Sequence, residues 1–86
     1  MRETAKRGRP AEARQQEAER LGVALRALRL SADMTVRELA LEAGVSLRYL
    51  SQAENGLVNV TDGWVRIVTE TIGRHLAAQR DLAATG

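Results

Sequence analysis

Few residues in this chain can make or break bonds, and none of them stand in a reactive pattern. There is no cysteine, so disulfides and thiolate metal sites are excluded. His75 is the single histidine; it reads as a solvated helix position, and alone it makes a histidine metal site an unsuitable reading. No nucleophile–base pair and no carboxylate dyad occurs. Gly22 sits within a helical stretch, and no G-x-G or G-K-[ST] pattern supplies a loop to cradle phosphate. The expectation is no catalytic residue, no cofactor, no metal and no enzyme. What remains is unevenly placed charge. Residues 1–30 carry eight Lys/Arg against four Asp/Glu, residues 31–60 two against four, and residues 61–86 three against three. The modest net charge of +2 therefore hides a basic N-terminus. That is the pattern of a basic arm on a nucleic-acid binder, and equally of a solvated tail.

The foldable chain is organised around residues 35–56, TVRELALEAGVSLRYLSQAENG. This stretch reads as two short helices joined by a glycine turn. Thr35 and Glu38 have the spacing of a capping box, in which each side chain bonds the other's amide. Leu39 and Ala40 give the first helix its inward side. Gly44 stands where a left-handed residue ends it, since glycine adopts positive φ without a Cβ penalty. Ser46 then caps a second helix over 47–55. There Leu50 and Ala53 face inward, while Arg48, Tyr49, Ser51 and Gln52 face mostly outward. Two such helices bury little by themselves and need flanking helices.

The remaining sequence supplies them. At 86 residues the chain holds one small domain. Apolar residues make up 44% and aromatics 2%, so the core must be built from Leu, Val, Ile and Ala. No strand alternation and no internal repeat is present, which predicts an all-α fold of four to five helices. Residues 1–9 lack hydrophobic periodicity and form a disordered basic arm. Pro10 suits the first turn of a helix, and good helix formers continue to about residue 30. In that helix Leu21, Ala24, Leu25 and Leu28 make one apolar face, and its first half is exposed or frayed. A last helix begins after the Thr61 cap, with Val65, Val68, Ile72 and Leu76 at helical spacing and Trp64 and Ile67 widening the stripe. It continues past Gly73 to about residue 78, or as far as 82, and the tail over 79–86 frays. The domain therefore spans 10–78. No run of about 18 apolar residues could cross a membrane, and no secretory leader is evident; both absences point to the cytoplasm.

With Ala40, Gly44 and Leu50 at positions five, nine and fifteen of a motif starting at Val36, and the ending S-x-x-E-x-G formed by Ser51, Glu54 and Gly56, the chain resembles the Cro and lambda-repressor (Xre-type) helix-turn-helix family. The likeness covers residues 21–73. It implies a lambda-repressor-like DNA-binding domain whose second motif helix, 47–55, lies in the major groove of double-stranded DNA. The family's base-reading positions fall on Leu47, Arg48 and Gln52. Arg48 would bond guanine, Gln52 adenine, and Leu47 would pack on a thymine methyl. Tyr49 would touch a base or a phosphate, or pack partly against the first helix. Ser46 and Asn55 suit phosphate contact. One departure stands out: Val36 occupies a position that is often glutamine. The amides at that helix start can still meet a phosphate, with Arg37 as the substitute side chain. Arg29 and Glu54 match positions that often form an ion pair, and Asn59 falls in the loop after the motif. Residues 6–10, KRGRP, resemble the core of an AT-hook, in which Arg7 and Arg9 would enter a narrow A·T-rich minor groove; otherwise they attract phosphate nonspecifically.

The expected function is a sequence-specific transcriptional regulator, a repressor, acting as a homodimer on a palindromic operator. Trp64, Val68, Ile72 and Leu76 are the expected dimer interface, because the last helix carries more apolar residues than one face can bury. Two alternatives stand beside it. One is an antitoxin-like module that sequesters a protein partner and binds DNA only to regulate itself. The other is a nonspecific architectural DNA protein that relies on the basic arm.

Overall fold

The computed structural model describes residues 11–85. The arm expected over 1–9, with Arg7 and Arg9, lies outside the described residues, as does Pro10. The described chain is all-α: α1 spans Ala11–Ser31, α2 Val36–Ala43, α3 Leu47–Glu54 and α4 Asp62–Thr85. α1 packs on α3, α2 packs on α3 and α4, and α1 also meets α4. The two short helices are thus held between the two long ones. At about 1.5 Å rise per residue, α1 and α4 are each more than twice as long as either motif helix.

One core serves all four helices. Leu25 comes from α1, Ala32 and Met34 from the turn after it, Leu39 and Ala40 from α2, Leu50 and Ala53 from α3, and Val68 and Ile72 from α4. Leu25, Leu39, Leu50 and Val68 are fully enclosed, and burying each contributes about 1.5–3 kcal/mol. Val45, Val58 and Val60 seal the loops against this core.

The buried row of α1 differs from the expected one. It runs Ala18, Gly22, Leu25 and Arg29, with Leu21 half-buried, while Ala24 and Leu28 face outward. A glycine and an arginine occupy inward positions, so apolar periodicity alone selects the wrong neighbours of Leu25. α4 differs in length. It passes through Gly73, which has no positive φ, and stays helical to Thr85, so the expected fray over 79–86 is helix as far as it is described. No helix among the described residues is long and apolar enough to cross a membrane.

The three turns share one solution. After α1, the Asp33 amide bonds the Leu30 carbonyl and the Met34 amide bonds the Arg29 carbonyl. After α2, Gly44 bonds Leu41 and Val45 bonds Ala40; after α3, Gly56 bonds Ala53 and Leu57 bonds Gln52. Each pair is the crossed bonding of a Schellman motif, closed by a left-handed residue. Those residues are Asp33 (φ 59°), Gly44 (φ 71°) and Gly56 (φ 72°).

Candidate nucleic-acid interface

The capping residues set the relative placement of α2 and α3. Thr35 Oγ1 accepts from the Glu38 amide at 3.0 Å, and Glu38 Oε1 accepts from the Thr35 amide at 2.8 Å. This box satisfies two amides at the start of α2 and leaves those of Val36 and Arg37 as first-turn donors. Ser46 Oγ accepts from the Tyr49 amide at 3.0 Å and starts α3. The serine oxygen is thereby engaged within the chain. Asn55, exposed at the end of α3, likewise donates its side-chain amide to the Ser51 carbonyl at 2.9 Å.

A buried ion pair ties the far end of α3 to α1. Arg29 Nε donates to Glu54 Oε2 at 2.8 Å and Nη2 to Oε1 at 2.9 Å, a two-pronged contact. Arg29 Nη1 donates in addition to the Met34 carbonyl at 2.9 Å. One guanidinium thus joins the end of α1, the turn into α2 and the end of α3. The hydrogen bonds to Glu54 raise the Arg29 pKa above its ordinary value, burial opposes the rise, and the charge of Glu54 adds to it. Such a pair orients the helix more than it stabilises the fold, because desolvation offsets much of the attraction. Gly22 lies beside it. A Cβ there would come within 2.5 Å of the Ala53 carbonyl oxygen and 2.6 Å of the Glu54 carbonyl oxygen. Gly56 is similarly tight, since a Cβ would lie 2.9 Å from Glu19 Cα. In the sequence Gly22 reads only as a glycine within a helix. The available signal was its position inside a long helix, where glycine is about 1 kcal/mol worse than alanine.

With Leu50, Ala53 and Glu54 held inward, the other side of α3 is determined. A helix turns about 100° per residue, so Arg48 and Gln52 stand on the side opposite the buried row. Arg48 is exposed and Gln52 half-buried. Leu47 and Val36 are half-buried and pack against the core, which leaves only part of each side chain outward. Arg37 is exposed at the start of α2. It borders a shallow groove with Leu41, Gly44, Val45 and Leu47 where the two motif helices meet.

Tyr49 packs on α4. Its ring meets Trp64 edge to face, with centroids 5.3 Å apart and planes at 81°. His75 is not simply solvated. Its Nδ1 lies 3.4 Å from Glu42 Oε1, across the gap between α4 and α2. The expected dimer interface is corrected at two positions: Val68 and Ile72 are 0% and 2% exposed within a single chain, so they are core residues. Trp64 is half-buried. Ile67, Leu76 and Leu82 carry the exposed apolar surface of α4, at 48%, 36% and 73%.

A family model described as a helix-turn-helix domain matches residues 20–84, from the middle of α1 to the end of α4. Comparison with curated proteins and with solved structures finds no match.

Proposed function

Because the chain belongs to the helix-turn-helix domain family, whose members bind DNA, we propose that it is a sequence-specific transcriptional regulator, acting as a repressor. In this reading α3 enters the major groove with Arg48 and Gln52 toward base edges. Leu47 offers its outward part to a thymine methyl. Arg37, the Val36 and Arg37 amides, Ser46 and Asn55 lie toward the phosphates at either end. Arg7 and Arg9 add attraction for phosphate or the minor groove. The observation that carries the reading is the two-sidedness of α3. Its inner side is fastened by Leu50, Ala53 and the Arg29–Glu54 pair, and its outer side presents Arg48 and Gln52.

The regulator binds as a homodimer through the exposed apolar residues of α4, among them Leu76. Two reading helices would then lie about one DNA turn apart, roughly 34 Å. Selection of bound duplexes from a random pool tests both parts. The expected result is a palindromic consensus with half-sites spaced by one turn. Enrichment of A·T content without a consensus overturns the reading, and light scattering that finds a monomer on and off the selected duplex overturns the dimer.

A further inference from the structure

The edge-to-face pair of Tyr49 and Trp64 joins the helix proposed to read DNA to the helix behind it. Both rings are half-buried. The backbone of Tyr49 is fixed by the Ser46 cap at 3.0 Å, and that of Trp64 by Thr61, whose hydroxyl accepts from the Trp64 amide at 3.1 Å. Each ring therefore starts from a fixed backbone position. The tyrosine ring is held, yet its polar tip is not engaged. The Tyr49 hydroxyl makes no hydrogen bond among the described residues. No side-chain oxygen or nitrogen is both buried and unpartnered among them, so this hydroxyl reaches solvent. A phenol braced by an aromatic neighbour with its O–H free is a preorganised donor, because little rotamer entropy is left to lose on binding.

Its position limits what it can reach. Around α3, Tyr49 lies on the flank next to Ala53, roughly 60–100° from the outward pair Gln52 and Arg48. Packing on Trp64 draws the ring further toward α4. If Arg48 and Gln52 face the base edges, a flank position of α3 faces the groove wall, where contacts go to phosphate and position the helix without reading sequence. We propose that Trp64 is a positioning residue for DNA binding: its indole holds Tyr49 so that the phenol hydroxyl donates to a backbone phosphate on the α4 side of α3. This rests on α3 being the reading helix. The contact sets the depth and register of α3 and carries no base information itself.

The test uses the duplex selected above and an unrelated duplex, with Tyr49→Phe, Trp64→Leu, Trp64→Phe and the Tyr49→Phe/Trp64→Leu double variant. A hydrogen bond to a charged group predicts that Tyr49→Phe weakens binding about tenfold, by the same factor on both duplexes. Trp64→Leu is expected to give a similar loss with its helical circular dichroism retained. Trp64→Phe, which keeps an aromatic edge against the tyrosine ring, should restore binding to within about threefold of the parent. In the double variant the two losses should not add. A neutral methylphosphonate at the contacted phosphate should lower parent affinity and leave Tyr49→Phe unchanged. Full additivity, a loss confined to the selected duplex, or parental binding by Tyr49→Phe overturns the proposal. Arg48→Ala separates the two levels. If it abolishes preference for the selected duplex while Tyr49→Phe binds normally, only the phosphate contact fails. If Arg48→Ala also binds normally, the reading helix itself is misassigned.

Discussion

At the scale of single residues, most side chains of the motif have one physical task. Thr35 and Ser46 accept amides that would otherwise lack partners, and Gly44 supplies a left-handed turn. Arg48 is different, because it is exposed and serves no partner within the described chain. Arg48→Ala is expected to leave thermal stability within about 0.5 kcal/mol of the parent. It should weaken binding to the selected duplex by about 1–3 kcal/mol and relax preference at one base pair; titration on matched and single-substituted duplexes measures this. Asp33 offers a test in the opposite direction. It closes the same motif as Gly44 and Gly56, but as a non-glycine at φ 59°. Asp33→Gly removes the Cβ strain and should raise unfolding stability by up to about 1 kcal/mol, read from the urea midpoint. No change or a loss would mean that the aspartate side chain compensates its backbone.

At the scale of elements, the α1–α3 contact decides how α3 is presented. Two features make it close: the missing Cβ of Gly22 against the α3 carbonyls, and the Arg29–Glu54 pair. Gly22→Ala improves helix propensity by about 1 kcal/mol yet should destabilise the protein by about 1–3 kcal/mol net, because backbone must move apart. Denaturant unfolding of this variant decides whether packing or propensity dominates. Glu54→Ala leaves a buried guanidinium without its counter-charge and is expected to lower stability by about 3–5 kcal/mol. The double change Arg29→Met/Glu54→Leu should recover most of that, while DNA binding stays impaired because nothing then orients the end of α3. The raised Arg29 pKa has a defined sign. Its contribution is fully present below the unfolded value and is lost only as pH rises through the still higher folded value. On the alkaline side the clamp therefore holds for as long as the fold does.

At the scale of the whole molecule, positive charge and the proposed reading surface are separated along the chain. Residues 31–60 carry two Lys/Arg against four Asp/Glu, so the motif alone attracts DNA poorly, while residues 1–30 carry eight against four. Removing one arm charge should therefore act through salt. Arg9→Ala is expected to weaken binding to selected and unrelated duplexes alike, and to lower the slope of log affinity against log salt by about 1. A binding series from low to moderate salt reads that slope directly. A loss restricted to A·T-rich duplexes would instead mark entry into the minor groove.

The helix boundaries at Thr35, Gly44, Ser46 and Thr61 were legible in the sequence because caps and turns are local: donor and acceptor lie three to five residues apart and the residue types that favour them are few. The α2–α3 motif, its inward residues Leu39, Ala40, Leu50 and Ala53, and its outward Arg48 and Gln52 follow from those boundaries and the helical period. The tertiary structure decided the rest. It turned α1 so that Gly22 and Arg29 face inward while Leu28 does not. It closed the Arg29–Glu54 pair that the family resemblance implies, and added a bond from the same guanidinium to the Met34 carbonyl that nothing in the sequence signals. It moved Tyr49 onto Trp64, and enclosed Val68 and Ile72 within one chain. None of these follows from periodicity, because each depends on the distance and angle between helices. Those are set jointly by every side chain in the contact, not by the residue type at one position.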